Sequence, residues 1–510
     1  MFEALQGNAE LRDLIPFVRL WYGQQSLYLW QDEAGTVRQV RQGEGVEQGD
    51  ALAPALFALA VHGALAAASQ QLQGDEFLLA FLDDVYIKTT RTRARAAFDT
   101  TTDALLRMAQ IDTNLGKCRA YGRTPEAAPQ DMLALGPDVW RSDAPAVERG
   151  VKVLGTPIGS PEFVQAHLAT RLADEQVLLD RLAVLPDAQC AWLILMYCAS
   201  PRANHLLRTV PPAEVMPYAQ DHDRRIWETL QCILGGAGLD SSTAIAAQSL
   251  ATLPRRSGGL GLQNATRTAP GAYWAAWADA LPVMQQRRPR EAAQLTALLE
   301  GQVPGRRGCV AAAADAAQAL AGEGHQCPRW RDLLAGARPE RPAPEDEPEL
   351  GEWRHGWQFY ACSRRNHYFR EHVLLPSLGS PQRALLRSAS GPQAGAWLQT
   401  LPTCSGTRMD PALFQIALRR RLRMPLPLVS RTCGQGSGHG CGARVDALGD
   451  HTTACLRTGL LARRANPIER AWTRVVFEAG TCVAHKQLLR YTNIPVASPL
   501  YQRQLDLVTY

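Results

Sequence analysis

Two adjacent aspartates, Asp83 and Asp84, are the residues of this sequence whose type and position most directly suggest chemistry. They separate two short apolar runs, Leu78–Phe81 and Val85–Ile87, which are typical of β-strands. We therefore expect a hairpin with both carboxylates at its turn. Two carboxylates held close together raise each other's pKa unless a cation neutralises them, so the pair predicts a site for Mg²⁺ or Mn²⁺. Asp-Asp is also common turn chemistry, and a purely structural role is the alternative.

A second candidate metal site lies near the C-terminus. Cys433, Cys441, His451 and Cys455 form a C-x7-C-x9-H-x3-C pattern in a glycine-rich segment. Three thiolates and one imidazole suit a tetrahedral Zn²⁺ ion, and the spacing from His451 to Cys455 matches one turn of helix. The alternatives are that His439 is a competing ligand or that these are free buried thiols.

Further motifs surround the aspartate pair in the first third of the chain. They are Gln48-Gly49-Asp50, Asn114-Leu115-Gly116-Lys117 and Val153-Leu154-Gly155-Thr156-Pro157-Ile158-Gly159. In this order and spacing, and together with Phe81-Leu82-Asp83-Asp84, they resemble the palm motifs of reverse transcriptases of non-LTR (LINE-like) retrotransposons. The resemblance covers most of the chain and is strongest over residues 40–160.

This resemblance implies a role for the central motif residues. Asp83 and Asp84 would hold two Mg²⁺ or Mn²⁺ ions, which activate the primer 3′-hydroxyl and stabilise the leaving pyrophosphate. Gln48 and Gly49 would line the pocket for the incoming nucleotide and the template, where a missing side chain lets the backbone approach closely. The implied partners are an RNA template, a DNA primer and nucleoside triphosphates, with no membrane.

Two more residues take roles from the same resemblance. Phe81 would pack near the primer end, and Lys117 would lie near the triphosphate and protonate the leaving group. We expect a strand over Leu115–Tyr121 to position Lys117. The alternatives are that Phe81 is plain strand core and that Lys117 is a solvated surface residue.

One element of the family pattern has no counterpart in this sequence. The family carries a further metal-binding Asp on a strand upstream of Gln-Gly-Asp, and neither Asp13 nor Asp32 lies in such a strand. We therefore expect an N-terminally truncated palm with impaired polymerase activity. The alternatives are a non-catalytic nucleic-acid-binding remnant of a decayed retroelement and a Zn-stabilised helical interaction protein.

The C-terminal third contains further segments that resemble parts of the same elements. The segment Cys433–Cys455 resembles the Cys-Cys-His-Cys segment of elements with a restriction-like endonuclease, and Arg503–Val508 resembles the first strand of that nuclease, with Asp506 as a metal ligand. The partner acid and lysine of such nucleases are absent, so we expect a truncated stub without nuclease activity. The arginine-rich run Arg419–Arg423 suggests either phosphate contact or a solvated or acid-paired helix face.

The same resemblance implies an α+β fold, with an antiparallel palm sheet and helices. We expect partial fingers and palm over residues 1–160, a helical thumb over 161–250, and a helical connector over 251–349 that ends in a Pro-rich linker. A helical region with the Zn segment would follow over 350–460, and the nuclease-like α/β stub over 461–510.

Composition places the chain among globular proteins. Of 510 residues, 46% are hydrophobic, and 54 Lys and Arg face 49 Asp and Glu, which permits nucleic-acid binding without demonstrating it. Twelve irregularly spaced Cys and no leader predict a reducing, intracellular location, nuclear or cytoplasmic and not secreted. We identify no apolar run as long as a membrane span.

Overall fold

A computed structural model describes residues 1–43, 45–47, 49–236, 240–339, 355–428, 431–435, 439–489 and 504–509. The chain falls into two units, Met1–Arg171 and Leu172–Tyr510. Helices dominate, and the described strands pair only as four two-stranded antiparallel hairpins, which confirms the α+β class. The finer division into five parts stays a prediction, and residues 340–349 of the expected linker lie outside the described part.

The first unit combines three hairpins with a few helices. Its strands are β1 (Leu27–Gln31), β2 (Val37–Arg41), β3 (Phe77–Phe81), β4 (Asp84–Lys88), β5 (Gly150–Val153) and β6 (Thr156–Gly159), and each pairs with its neighbour in sequence. Its helices are α1 (Phe2–Gly7), α2 (Ile15–Tyr22), α3 (Ala53–Gln71), α4 (Ala94–Ala109), α5 (Gln130–Leu133) and the start of α6 (Pro161–Ala183). The hairpin of β1 and β2 precedes the Gln-Gly-Asp motif in the sequence, and α3 follows it.

Helix α3 supports the aspartate hairpin by packing against α4 and β3. Its contact with α4 uses short side chains: Ala64 and Ala68 in α3, and Ala97 and Ala104 in α4, are all buried. Small side chains let two helix backbones approach closely, so α3 and α4 form a firm layer beside β3.

The same helix corrects one expectation from the sequence. By length and composition, α3 is apolar enough to cross a membrane, with a mean hydropathy of 1.3 and 28% of the residues in that window buried. We missed it because His62, Ser69 and two glutamines interrupt its apolar run. The core helix of a soluble protein passes the same test, so this single helix is weak evidence for a membrane span.

The segment after α4 also differs from its prediction. Leu115–Lys117 is a single 3-10 turn, closed by hydrogen bonds from Lys117 N to Asn114 O and from Cys118 N to Leu115 O. Only Ala120 makes a β-bridge, to Trp140. The strand expected over Leu115–Tyr121 was therefore wrong, because asparagine and glycine at its start favour a turn over an extended backbone.

The second unit is mainly helical. Its helices after α6 are α7 (Ala188–Ile194), α8 (Asn204–Thr209), α9 (Pro212–Ile233), α10 (Ser241–Ala251), α11 (Ala265–Arg287), α12 (Pro289–Leu299), α13 (Gly308–Gly322), α14 (Trp330–Leu334), α15 (Trp357–Tyr368), α16 (Leu375–Ser377), α17 (Ser380–Ser388), α18 (Pro411–Arg421), α19 (Asp450–Ala454) and α20 (Leu460–Glu478). Its two described strands, β7 (Val483–Leu488) and β8 (Gln504–Thr509), pair antiparallel. Helices occupy most of the described part of residues 161–250, as predicted, and the strand carrying Asp506 is confirmed, while Arg503 lies outside the described residues.

Two aromatic cores hold this unit together. The first packs α7, α9 and α18 around Trp192, which is fully buried and donates its indole N–H to Leu398 O at 2.9 Å. The second packs α11, α13 and α15 around Trp274, whose ring meets that of Trp357 edge-on at 5.7 Å. Because large buried rings dominate core energetics, these cores fix α11 beside α15.

The arginine-rich run at the end of α18 is largely structural. Arg419 is buried and donates from Nε and Nη2 to Leu234 O at 2.8 and 2.6 Å. Arg421 is also buried and donates to Gly259 O at 3.0 Å and Ala394 O at 2.8 Å. Burial lowers the pKa of both guanidinium groups. These two arginines cap backbone carbonyls, so the phosphate-contact interpretation does not apply to them.

A glycine turn between α10 and α11 is closely packed, and replacing Gly259 by alanine is expected to destabilise the second unit. A Cβ atom there would lie 2.2 Å from Leu253 O, and such overpacking costs about 1–3 kcal/mol of unfolding free energy. The matched control is Gly322→Ala in α13, where a Cβ would meet nothing within 4 Å and the better helix former is tolerated. Chemical denaturation followed by circular dichroism measures both variants, and equal midpoints would contradict the prediction.

Candidate functional site

The aspartate pair lies on a tight hairpin, as predicted. Phe81 at the end of β3 pairs with Asp84 at the start of β4, so the two-residue turn is Leu82-Asp83. Leu82 has φ +55°, a backbone conformation that few non-glycine residues adopt. Asp83 and Asp84 are both exposed. The hairpin therefore presents two neighbouring carboxylates to solvent on a short, defined turn.

Phe81 lies on the same hairpin beside the carboxylates. The residue is 59% exposed, so the alternative that it is plain strand core is wrong. The ring is available to a ligand that approaches Asp83 and Asp84.

Tyr86 is a site residue that the sequence analysis missed. It lies two residues after Asp84 on β4, and alternate residues of a strand share one face. Its hydroxyl accepts a hydrogen bond from Leu154 N at 3.1 Å, which ties the turn between β5 and β6 to the aspartate hairpin. Burial raises the pKa of Tyr86, with a smaller contribution from the Asp84 charge. The strand period alone could have marked Tyr86 as a neighbour of Asp84.

Gly49 and Asp50 of the Gln-Gly-Asp motif lie in the turn that precedes α3. Gln48 lies outside the described residues, while Gly49 has φ +100°, which favours glycine. The Asp50 carboxylate accepts from the Tyr22 hydroxyl and, at 2.9 Å, from Leu52 N. The Tyr22 hydroxyl and then the Leu52 N–H hold the pKa of Asp50 below its usual range. Both oxygens of Asp50 therefore accept hydrogen bonds that stabilise this turn.

The structure describes no direct bond from Lys117 or Gly49 to the aspartate pair. Lys117 is exposed on its 3-10 turn. Within the described ranges, no hydrogen bond or ion pair joins either residue to Asp83 or Asp84. Their roles in nucleotide binding stay predictions.

The four predicted zinc ligands come together, although they span 23 residues of sequence. Cys433 Sγ and Cys455 Sγ lie 3.7 Å apart, and Cys441 Sγ lies 3.3 Å from His451 Nε2. All four donor atoms lie within 4.8 Å of one another, and His439 is not in this group. Zn–S bonds of about 2.3 Å in a tetrahedron place two sulfurs about 3.8 Å apart. The donor set and its spacing therefore fit one Zn²⁺ ion.

The redox state of the cysteines is consistent with metal binding. All twelve are free thiols, and the 3.7 Å separation of Cys433 and Cys455 is too long for a disulfide, whose bond is about 2.05 Å. The Arg457 N–H, the largest of several contributions, lowers the pKa of the Cys455 thiol. The pKa of Cys433 is raised instead, because the lowering effect of the Cys441 N–H is outweighed by burial and by the side-chain hydrogen bonds with Cys455 and Cys441.

Asp446 organises the turn that carries His451, and the sequence analysis missed it. Its Oδ2 accepts from His451 N at 2.7 Å, and its Oδ1 accepts from Leu448 N and Asp450 N at 2.9 and 3.0 Å. Asp450 in turn forms ion pairs with Arg420 and Arg423. The acid-paired interpretation of these two arginines is thus confirmed. Their ion pairs connect the turn that carries His451 to the end of α18.

Asp446→Asn is expected to weaken zinc binding by roughly 10- to 100-fold, the usual cost of losing a group that orients a metal ligand. Asparagine keeps the size of the side chain but replaces one accepting oxygen with a donor, so at least one of the three N–H bonds is lost. Competition with a fluorescent zinc chelator measures the affinity. Asp410→Asn, at the exposed N-cap of α18, is the matched control. Equal zinc affinities for the two variants would contradict the role of Asp446.

Comparison with known proteins bears on the first unit. Residues 13–158 match the family model described as reverse transcriptase (RNA-dependent DNA polymerase). The matched range contains the aspartate hairpin and Lys117 and ends within β6. No curated protein and no solved structure matches the chain. The family match supports reverse-transcriptase activity in general, with a nucleic-acid template, a primer and nucleotide substrates.

Proposed function

We propose that this protein is the RNA-directed DNA polymerase of a LINE-like retrotransposon and extends a DNA primer on an RNA template. The observation that carries the proposal is the exposed Asp83-Asp84 hairpin within the range that matches the reverse-transcriptase family. Polymerases need paired carboxylates on a rigid element, open to a large substrate. The hydrogen bond from Leu154 N to the Tyr86 hydroxyl restrains the hairpin that carries the two carboxylates. Because the turn is exposed, a nucleic-acid substrate can reach them.

In this proposal each motif residue has one task. Asp83 and Asp84 hold Mg²⁺ or Mn²⁺, since carboxylate oxygens are the ligands that these hard cations prefer. When bound, two such ions activate the primer 3′-hydroxyl and stabilise the leaving pyrophosphate. Phe81 packs against the primer end beside them. Lys117 donates a proton to the leaving group.

The remaining parts of the proposal concern the nucleotide pocket and the second unit. Gln48 and Gly49 line the pocket for nucleotide and template. The group of Cys433, Cys441, His451 and Cys455 holds a structural Zn²⁺ ion, because four protein ligands leave no open position for catalysis. The protein acts inside the cell, in the nucleus or the cytoplasm, and Asp506 belongs to a nuclease-like segment.

A specific observation favours a second candidate function, non-catalytic binding of nucleic acid by a retroelement remnant. Among the described residues, no third His, Cys, Asp or Glu donor lies close enough to Asp83 and Asp84 to form a three-ligand metal site. Asp32 is engaged in the turn between β1 and β2, where it accepts from Thr36 N at 2.9 Å and Arg38 Nε at 3.1 Å. Impaired polymerase activity follows from an incomplete carboxylate set.

Primer extension distinguishes the two functions. The purified chain is given an RNA template, an annealed DNA primer, deoxynucleoside triphosphates and Mg²⁺ or Mn²⁺, and extended primer is resolved on a gel. The polymerase proposal predicts template-dependent extension that stops when the metal ion is withheld. Binding of template–primer without extension would overturn it in favour of the second candidate, and absence of both would contradict both functions.

A further inference from the structure

The second unit contains an open cavity of about 750 Å³ that the proposed polymerase site does not use. Its wall is formed by the turn Arg255–Ser257, the segment before α11, the first turns of α15 and residues 392–399. This volume lies within the range of small-molecule and cofactor sites and is large enough for a nucleotide. The two aromatic cores fix α11 and α15, so the cavity is a defined feature of this unit.

The charged side chains that the structure describes in this wall are all basic. Arg255 and Arg256 line the cavity together with His355, and no described lining residue is an Asp or Glu. A neighbouring cavity of about 550 Å³ differs in this respect, because Asp223 and Glu323 line it beside its arginines. The larger cavity therefore attracts anions, whereas the charges around the smaller one largely compensate one another.

The hydrogen-bonding capacity of the wall is biased towards donors. Seven Asn and Gln side chains line it, and several of their oxygens already accept from the protein. The bonds run from Gln358 Nε2 to Asn204 Oδ1 (3.3 Å), from Arg267 N to Asn264 Oδ1 (2.6 Å), from Arg267 Nε to Asn366 Oδ1 (2.6 Å) and from Arg208 Nη1 to Gln358 Oε1 (2.8 Å). Because their oxygens are occupied, the Asn264 and Asn366 side chains offer a ligand chiefly amide N–H, which suits a ligand rich in acceptors.

Among the residues that the structure describes, an amide and not a carboxylate holds the Arg255 guanidinium. With the Gln399 amide oxygen turned towards it, Arg255 Nη1 donates to Gln399 at 2.8 Å. Arg255 also packs its side chain against the backbone at Gly261 and Gly395. Because the amide leaves the guanidinium charge uncompensated, Arg255 presents a fixed cation to the cavity.

The same wall carries stacked rings. His355 and Phe359 stack with centroids 3.6 Å apart and planes inclined by 16°. The Arg256 guanidinium lies 5.9 Å from the centroid of Phe359. Aromatic rings beside cations are the combination that binds unpaired nucleobases together with their phosphates.

We propose that this cavity binds one phosphate-bearing nucleotide unit of a single-stranded nucleic acid. Arg255 and Arg256 contact the phosphate, the amides donate to base and sugar oxygens, and the base lies against His355 and Phe359. The proposal goes beyond the polymerase function, because the cavity lies in the second unit and needs neither a divalent ion nor polymerisation.

The test measures binding of a fluorescent single-stranded oligonucleotide to the whole chain by anisotropy, without Mg²⁺ or nucleoside triphosphates. Arg256→Gln removes one phosphate contact. It is expected to reduce the slope of log K against log salt concentration by about 0.7 in magnitude, which corresponds to an affinity about fivefold lower at 0.1 M salt. Gln393→Glu places a carboxylate in the exposed rim and is also expected to weaken binding. The matched controls are Arg387→Gln and Gln302→Glu, which make the same changes at exposed positions outside the cavity.

Two further arms locate the site and identify the ligand. An oligonucleotide carrying 5-iodouridine is expected to cross-link to a peptide containing His355 or Phe359. Incomplete displacement of the oligonucleotide by excess adenosine monophosphate is expected, whereas complete displacement would overturn the single strand as the ligand in favour of a free nucleotide. Cavity variants that bind like their controls, or cross-links that avoid these peptides, would overturn the proposal. Primer extension is measured separately, so oligonucleotide binding without extension would contradict only the polymerase function.

Discussion

Replacing Asp83 and Asp84 together by asparagine is expected to reduce Mg²⁺-dependent incorporation on an RNA template by at least about 10³-fold. Bound metal ions contribute several kcal/mol of transition-state stabilisation, and each 1.36 kcal/mol lost is a tenfold loss of rate. Neutral amides are poor ligands for Mg²⁺. Asparagine keeps the size and turn propensity of aspartate, so the hairpin of β3 and β4 is retained.

The control for this variant removes the same charge elsewhere in the first unit. Asp103→Asn with Asp112→Asn changes two exposed aspartates outside the hairpin and is expected to leave incorporation close to that of the unaltered chain. Each single replacement at Asp83 or Asp84 is expected to cost nearly as much as the double one, because the two carboxylates act as a unit. Undiminished incorporation by the double variant would show that the metal site lies elsewhere.

Cys433→Ser combined with Cys455→Ser is expected to abolish stoichiometric zinc binding and to unfold the ligand segment. Structural zinc contributes roughly 10–16 kcal/mol of apparent binding free energy at neutral pH, which in small sites is also the folding free energy. Metal analysis in reducing buffer is expected to find one zinc per unaltered chain and far less in the variant. Cys232→Ser with Cys309→Ser, at two exposed thiols outside the group, is the matched control.

Hydrogen exchange shows where the effect of zinc loss is located. The amides of Leu448, Asp450 and His451 donate to Asp446, and they are expected to lose protection in the cysteine variant or after chelation. The amide of Trp192, in the core of the helical unit, is expected to keep its protection, because that core packs without the metal. Zinc retained at one equivalent in the variant would contradict the predicted ligand set.

The local elements were predictable from short-range patterns. An apolar run on each side of Asp83-Asp84 identified the hairpin, and the helical spacing identified the helices that follow Pro161. The spacing of Cys433, Cys441, His451 and Cys455 identified a group whose donor atoms do converge. Such signals work because the pleat of a strand and the pitch of a helix repeat over a few residues.

The predictions from sequence were wrong where contacts between distant residues decided the local structure. Leu115–Tyr121 looked like a strand, but no described partner strand pairs with it beyond the bridge at Ala120, and the turn chemistry of Asn114 and Gly116 prevailed. The arginine run looked like a surface feature, but Arg419 and Arg421 are buried on backbone carbonyls supplied by residues 27 to 185 positions away.

By itself, then, the sequence determined the chemistry available to this protein: two adjacent carboxylates on a hairpin and three thiolates with one imidazole at metal-ligand spacing. Only the tertiary structure decided what surrounds that chemistry. It placed Leu154 on the hydroxyl of Tyr86, 68 residues away, and it assembled an anion-attracting cavity from segments between residues 204 and 399. The physical reason is that side-chain type and periodicity are properties of a few neighbouring residues, whereas cavities and cross-links depend on how distant helices pack.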